Sequence, residues 1–314
     1  MHEYRAQLSQ HYALLLNDAE VADAVIQKDL FQPLAAARGL PIPQALAWEA
    51  LEAFERAVLV KPRSKFGWKA SPVHLRLFGR SGKARIFADG RAVLAEAHAR
   101  QLRDEILIQE YVSGDDRQIW SFHGFADEEH RLLDWFIGRK IRTYPALTGE
   151  STYLELARDD ELAALGPRLA AALPLKGVFK IDLKRDAHTG RFHVLEVNAR
   201  YNLWHYLGAA NGVNLPRTAY EYLIYGERPA TPGRYGITYR WIHLRGDWRA
   251  YRQLAARGEL GLAGWLASLA AAPKVCQLFS WADPLPFVNQ VYRTVRARLP
   301  RLPAMLRRWL STAS

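Results

Sequence analysis

Apolar positions recur at helical spacing through residues 3 to 39: Tyr4, Leu8, Tyr12 and Leu15, then Val21, Val25 and Leu30. A stripe at three- and four-residue intervals is what the buried face of an α-helix needs, so the spacing predicts helix there. Gly39-Leu40-Pro41-Ile42-Pro43 stops it and leads into extended chain. Val58-Leu59-Val60-Lys61-Pro62 reads as a short strand ended by proline. A loop rich in Ser, Lys and Gly follows, and a strand is expected near Leu75 to Phe78. Val93, Leu94, Ala97 and Leu102 form the apolar stripe of a helix over residues 91 to 103. Residues 106 to 112 read as strand, 113 to 116 as a turn, and 117 to 125 and 131 to 141 as further strands. Helices are expected at 162 to 173, 204 to 210, 216 to 225, 247 to 257 and 260 to 269. No internal repeat or low-complexity linker interrupts the chain. Strands and helices that mix without strict alternation predict an α+β or mixed α/β architecture.

The most informative pattern lies between Gly177 and Asn198. Gly177-Val-Phe-Lys-Ile-Asp-Leu-Lys184 and Arg191-Phe-His-Val-Leu-Glu-Val-Asn198 flank Asp186-Ala-His-Thr-Gly190, a plausible five-residue hairpin loop. Side chains alternate between the faces of a strand. Phe179, Ile181 and Leu183 therefore share a core face with Leu195 and Val197, and His193 falls on that apolar face. Lys180, Asp182 and Lys184 share the opposite face with Glu196 and Asn198. With the loop centred on His188, Asp182 stands opposite Val194 and diagonal to Glu196, a separation of roughly 7–8 Å. Two carboxylates and an amide on one face suit Mg²⁺, which takes few protein ligands and completes its shell with phosphate oxygens and water. A solvated hairpin face is the plainer alternative, weakened by the convergence of these groups and of Arg200 just beyond.

Composition and charge narrow the choice of partner. The chain of 314 residues is 49% hydrophobic and 24% charged, and its net charge is +11. Such a surplus suits a polyanion, but the arginines are scattered, except near the C-terminus, and read as a solvated surface. A nucleotide substrate would also gain from the positive potential. One cysteine, Cys276, excludes an intramolecular disulfide and a Cys-based zinc site, and favours a reducing, cytoplasmic setting. No signal-peptide core opens the sequence. The most apolar stretch, Leu260 to Ala272, is shorter than the about 20 residues a membrane span needs. Residues 291 to 310 are basic and partly amphipathic, a weak pointer to peripheral membrane contact. Pro300 and Pro303 interrupt them, so a terminal extension packed on the body or fraying is expected. The histidines show no metal spacing, and Ser71, Ser121 and Cys276 have no activating neighbours in sequence.

Ile181-Asp182 followed by Leu195-Glu196-Val197-Asn198-Ala199-Arg200 resembles the metal-binding end of the ATP-grasp superfamily. Three further stretches fall in the order that family uses: Val58 to Pro62, Arg63 to Ala70, and Leu107-Ile-Gln109-Glu110-Tyr111-Val112-Ser-Gly-Asp-Asp116, while Lys28 in Gln-Lys-Asp-Leu is similar to an earlier lysine of the family. The resemblance covers about Lys28 to Gly226. Arg139 to Pro145, Thr148-Gly-Glu150, Gly212 to Pro216 and Phe279 to Pro284 look like its carbamoyl-phosphate-synthase-like carboxylate–amine ligase branch.

The resemblance implies an α+β ATP-grasp fold in which two α/β lobes clasp ATP. It divides the chain into a helical lead-in (1–27, a remnant of the domain that usually precedes the fold), a small lobe (28–105), a large lobe with the metal site (106–226) and a C-terminal helical extension (227–314). It implies ATP and Mg²⁺, with Asp182, Glu196 and Asn198 on the metal. Lys61, supported by Lys28, would contact phosphates, and Lys65 and Gly67 belong to a loop closing over them. Gln109 or Glu110 would meet the adenine amino group, the Val112 backbone would add a contact, and Asp116 would accept ribose hydroxyl bonds. Arg200 would bind the acceptor carboxylate or the transition-state charge, with Lys140, Arg142 and Lys184 as weaker candidates. The implied reaction is ATP-dependent activation of a carboxylate as an acyl phosphate, then attack by an amine; a thiol or hydroxyl nucleophile stays open. A phosphotransferase on the same fold and a non-catalytic nucleic-acid- or membrane-binding protein are the alternatives. Expected partners are a small carboxylate and an amine, with a homodimer possible, no nucleic acid and no transmembrane segment.

Overall fold

The computed structural model describes residues 3–63, 72–79 and 83–298. The N-terminal region is not one helix. A turn of helix α1 (Arg5–Leu8) is followed by extended chain, then by α2 (Ala19–Ile26) and α3 (Lys28–Ala37), which meet at an extended Gln27. The break has a polar cause. The Asn17 side chain donates to the Lys176 carbonyl (2.9 Å) and accepts from the Lys176 N–H (2.8 Å), which ties the chain down where a helix would otherwise run through.

Three strands form a small antiparallel sheet: β1 (Val58–Pro62) in the centre, β2 (Arg85–Phe87) on one side and β3 (Ile106–Glu110) on the other. Strand β3 thus closes this sheet rather than opening the larger one. The strand expected near Leu75 is a helix, α4 (Pro72–Phe78), because His74, Leu77 and Phe78 are buried at three- and four-residue spacing. The helix expected over 91 to 103 is broken into α5 (Gly90–Ala95) and α6 (Ala97–Gln101). Glu96 between them is extended, and its carboxylate accepts from the His98 N–H and the Arg85 guanidinium.

The second sheet has seven strands. Introduced in chain order, they are β4 (Ile119–Ala126), β5 (Leu132–Tyr144), β6 (Glu150–Leu156), β7 (Gly177–Arg185), β8 (Phe192–Asn198), β9 (Arg240–Ile242) and β10 (Lys274–Cys276). Their spatial order is β10-β9-β6-β5-β4-β7-β8, antiparallel except where β10 joins β9. Helix α7 (Asp160–Ala172) covers one face; its Gly166 lies so close to Phe122 that a Cβ there would be 2.1 Å from the ring. Helices α8 (Trp204–Ala210) and α9 (Leu215–Tyr225) pack on the other face, against Phe136 and Phe125. Phe122, Phe125, Phe136 and Phe179 are among the largest fully buried side chains, each stabilising by about 1.5–3 kcal/mol through burial. The free edge at β8 is covered: α2 packs along it, and the Val194 N–H donates to the Pro41 carbonyl.

Residues beyond 226 are not all helical, since β9 and β10 extend the large sheet. Helices α10 (Leu244–Ala256) and α11 (Leu262–Ala270) are fastened to it by a buried ion pair. Arg142 Nε and Nη2 each meet one Asp247 oxygen at 2.8 Å, and Thr152 and Trp265 donate to the same carboxylate. Asp247 is fully buried and Arg142 nearly so. Arg142, expected as a weaker candidate for phosphate or substrate contact, is therefore occupied in packing. The last described helix, α12 (Leu285–Arg298), leaves its described side chains exposed apart from the half-buried Thr294, and the rest of the segment 291 to 310 lies outside the described residues.

A bidentate, dry Arg–carboxylate pair leaves an uncompensated charge when one partner goes. Asp247→Ala should destabilise the protein by about 3–5 kcal/mol in urea unfolding, and the paired change Arg142→Met with Asp247→Leu should recover most of that loss.

Candidate functional site

The hairpin β7–β8 carries a dense set of polar groups, and its register differs from the simplest expectation in two respects. Asp182 stands directly opposite Glu196, Ile181 opposite Val197 and Lys180 opposite Asn198, but Leu183 pairs with Val194. Leu195 is therefore an extra residue on β8, a β-bulge. The loop is also longer than five residues, since Arg185 pairs with Phe192. The two departures offset each other. Phe192 and Val194 point to the core before the bulge, and Val197 does so after it, while Glu196 and Asn198 stay on the polar face. Leu195 is only half-buried, and His193 lies opposite Lys184 on the polar face instead of the apolar one.

Asp182 sits at the centre of a network. The Ser121 hydroxyl donates to Oδ1 at 2.5 Å, Lys180 Nζ lies 2.6 Å from Oδ2, and the Asn198 amide donates to Oδ2 at 3.5 Å. Ser121 comes from β4, where it pairs with Asp182 on one side and with Gly138 of β5 on the other. Gly138 has a reason to be glycine: a Cβ would lie 2.3 Å from the Trp204 ring. That close approach seats the start of α8 directly on this face of the sheet. Trp204 also lies near the Lys180 ammonium, 5.9 Å from the ring centre.

Next to this network, His123 is fully buried, stacked on Phe136 at 4.4 Å, with neither ring nitrogen meeting a protein partner. Burial, with His205 and Lys180 nearby, holds its pKa well below the usual value, so it is neutral. Burial and Lys180 likewise lower His205 to about 4. Lys140 lies on the same face, and burial lowers its pKa against the attraction of Asp182.

Across the cleft, the small sheet presents Lys61 opposite Leu107, and Leu59 opposite Gln109. Lys61 and Gln109 therefore share one face, whereas Glu110, opposite Val58, belongs with the small sheet's core. Glu110 is spoken for: its carboxylate accepts from the Gln44 N–H at 3.0 Å and lies 3.3 Å from Arg56. Gln109 is 1% exposed and its amide nitrogen has no protein partner. Of the two residues expected at adenine, only Gln109 has the facing and the spare donor. A pocket between the sheets is lined by Lys61 from β1, by Leu195, Glu196 and Val197 from β8, and by Val25, Ile26, Phe31 and Gln32 from α2 and α3.

The segment joining the sheets, residues 111 to 116, is clamped from the hairpin. Lys184 Nζ donates to the Tyr111 hydroxyl (2.9 Å) and to the Gly114 carbonyl (2.8 Å). Burial lowers the Lys184 pKa to about 8, and burial next to Asp116 and Asp115 pushes Tyr111 up to about 12. At the hairpin tip, Asp186 accepts from the Ser113 N–H and hydroxyl and from the His188 and Thr189 N–H groups. Val112, after β3, is buried. Asp116 differs from its expected role at a ribose. It is 7% exposed, and its oxygens already accept from the Thr143 N–H, the Thr143 hydroxyl and the Leu147 N–H. It pins the end of β5 to the hinge.

Other expected residues are more peripheral. Arg200 is exposed, two residues beyond Asn198, and donates to the Tyr201 carbonyl at 3.4 Å. Lys28 opens α3, but its side chain lies outside the described residues, as do Lys65 and Gly67 entirely. Among the described residues no cluster of three His, Cys, Asp or Glu side chains could hold a metal by itself. Sequence reasoning missed Ser121, His123 and Gln32, which carry no motif; strand pairing brings the first two to the site, and the packing of α3 brings Gln32.

No family model matches the sequence. A D-aspartate ligase of Enterococcus faecium is 20% identical over 249 residues, covering 74% of this chain and 58% of the relative, so the chain spans less than two thirds of that protein's length. Among solved structures, the biotin carboxylase domain of Hydrogenobacter thermophilus 2-oxoglutarate carboxylase, in complex with MgADP and bicarbonate, superposes with a TM-score of 0.52 at 12% identity. That match covers 70% of this chain and 50% of the other. N5-carboxyaminoimidazole synthetase of Staphylococcus aureus, complexed with ADP, gives 0.51 at 10% identity, covering 68% of this chain and 54% of its own. The fold is the ATP-grasp fold of these enzymes.

The Asp186 clamp has a pH signature. Burial opposes its ionisation, but the Thr189 and Ser113 donors outweigh burial and hold its carboxyl far below the usual range. Its folded value lies beneath the unfolded value of about 3.9. The stabilisation is therefore complete above that pH and is lost as the pH falls towards the folded value. Asp186→Ala should cost about 1–3 kcal/mol at neutral pH, and urea unfolding should show the gap from wild type narrowing progressively below about pH 4.

Proposed function

We propose that the chain is an ATP-dependent ligase that activates a small-molecule carboxylate as an acyl phosphate and passes the acyl group to an amine. The observation that carries this reading is the direct pairing of Asp182 with Glu196, with Asn198 beside them, where Glu196 also lines a pocket with Lys61 of the other sheet. The similarity to a D-aspartate ligase supports the choice of an amide-forming reaction.

The donor set fits Mg²⁺. It offers two carboxylates and an amide oxygen, hard ligands in the small number that an ion shared with phosphates requires. Asp182 already attracts a cation, Lys180 at 2.6 Å. Asp182, Glu196 and Asn198 would hold the ion, which when bound neutralises phosphate charge. The rest falls to the protein's own groups. Lys61 and Lys180 offer positive charge to the phosphates from the two sheets, and Gln109 offers its spare N–H to the adenine. His123, neutral and dry, adds no competing charge. Positioning and charge neutralisation of this kind are most of what phosphoryl transfer demands.

In the first step a carboxylate oxygen of the substrate attacks the γ-phosphorus, the bond to the β–γ bridging oxygen breaks, and ADP leaves. In the second the amine lone pair attacks the acyl carbon, the carbon–oxygen bond to phosphate breaks, and the nitrogen sheds a proton to solvent. Arg200, exposed just past the metal-facing strand end, is suited to the incoming carboxylate.

Calorimetry with a non-hydrolysable ATP analogue and Mg²⁺ tests the reading. Wild type should bind only with Mg²⁺, and Glu196→Ala should lose affinity by about tenfold or more, roughly the 1.4 kcal/mol that one such contact is worth at minimum. Wild type that fails to bind, or a variant that binds equally well, would overturn it.

A further inference from the structure

Helix α12 is exposed in an unusual way. Every side chain described on it is exposed apart from the half-buried Thr294. Leu285, Val288, Tyr292 and Val295 follow one another at intervals of three and four, so they form a single stripe. Their exposures are 72%, 55%, 59% and 52%, and Val291 beside them is also exposed. At about 100° per residue, Thr294 falls on the far side of the helix from Leu285 and Tyr292. The side nearest the body carries Thr294 and Phe287, and the apolar stripe looks outward. Trp281, 90% exposed, stands just ahead of the helix and is linked to it through Phe279, whose ring contacts both Trp281 and Phe287.

An outward apolar stripe of this extent marks a docking surface, and charge selects the occupant. No acidic residue follows Asp283, while six arginines do: Arg293, Arg296, Arg298, Arg301, Arg307 and Arg308. A second copy of the chain would bring the same charge against it. An anionic lipid surface would instead accept the apolar stripe at its acyl boundary and the arginines at its headgroups, with the exposed Trp281 at the interface. We propose that α12 docks this protein onto an anionic bilayer, lying in the plane of the interface. Among the described residues no helix is long and apolar enough to cross a membrane, so the contact would be peripheral.

Co-sedimentation of the full chain with vesicles is the test. Wild type should bind phosphatidylcholine vesicles containing phosphatidylglycerol, release at high salt, and bind pure phosphatidylcholine at least about tenfold more weakly. Val288→Ser with Val295→Ser, which keeps the charge, should reduce binding by about tenfold or more, and Arg293→Gln with Arg296→Gln should remove the preference for anionic lipid. Both variants should unfold at the wild-type temperature by circular dichroism, because the substituted positions are solvent-exposed. Wild type that ignores anionic vesicles overturns the proposal, as does vesicle binding that the serine pair leaves intact. A dimer that the serine pair dissolves, with no vesicle binding, would assign the stripe to a second copy instead.

Discussion

The constraint on which the site depends is the extra residue at Leu195. A two-stranded ribbon with one apolar and one polar face must keep the same parity on both strands. The loop 186–191 and a regular ladder together would turn Glu196 and Asn198 towards the core and Leu195 towards the cleft. The bulge restores parity after Val194, so Val197 fills the core beside Ile181 while Glu196 faces Asp182. Without it, two carboxylates could not meet on one face without burying an unpaired polar group on the other, a cost of several kcal/mol. Bulges are frequent where a sheet must re-aim a side chain, and here the re-aimed side chain is a carboxylate.

The same hairpin governs how the two sheets are joined. Lys184 and Asp186 lie two and four residues beyond Asp182, and both grip the hinge at residues 111 to 114. Asp116, two residues past that segment, is held in turn by the end of β5. Groups that a motif-based reading assigns to ligand contact are thus divided between two tasks. Lys61 and Glu196 line the pocket between the sheets, Gln109 shares the face of Lys61 and Asp182 pairs with Glu196, whereas Glu110, Asp116, Arg142 and Lys184 are held in contacts that join the elements of the fold. The distinction rests on parity and on hydrogen-bond capacity, which residue type alone does not reveal.

Much of the architecture was legible because its signals are local. The hairpin announces itself by alternation, and the helices at Trp204–Ala210 and Leu215–Tyr225 by spacing and by the asparagine and glycine that bound the second. What escaped was set by distant partners. Asn17 breaks a helical stripe because Lys176 lies 159 positions away, and Arg142 is claimed by Asp247, 105 positions along. Helix α4 was misread as a strand because its short apolar run fits either period, a known ambiguity for runs of that length. The convergence of Asp182, Glu196 and Asn198 on one face could be read from alternation, but the partners that hold Asp182, such as Ser121, could not.

Electrostatics then explains why this face is suited to a polyanion. Lys61, Lys140 and Lys180 converge on the cleft from three strands, against the two carboxylates Asp182 and Glu196. Burial already works against the charge on Lys140, and His123 and His205 are driven neutral partly by the nearby Lys180. Under the proposed function, a triphosphate with its accompanying cation would add negative charge that favours the charged lysines and would give the carboxylate pair a partner of its own. On that reading the cations and the paired carboxylates are two halves of one arrangement, with the phosphate-bearing substrate between them.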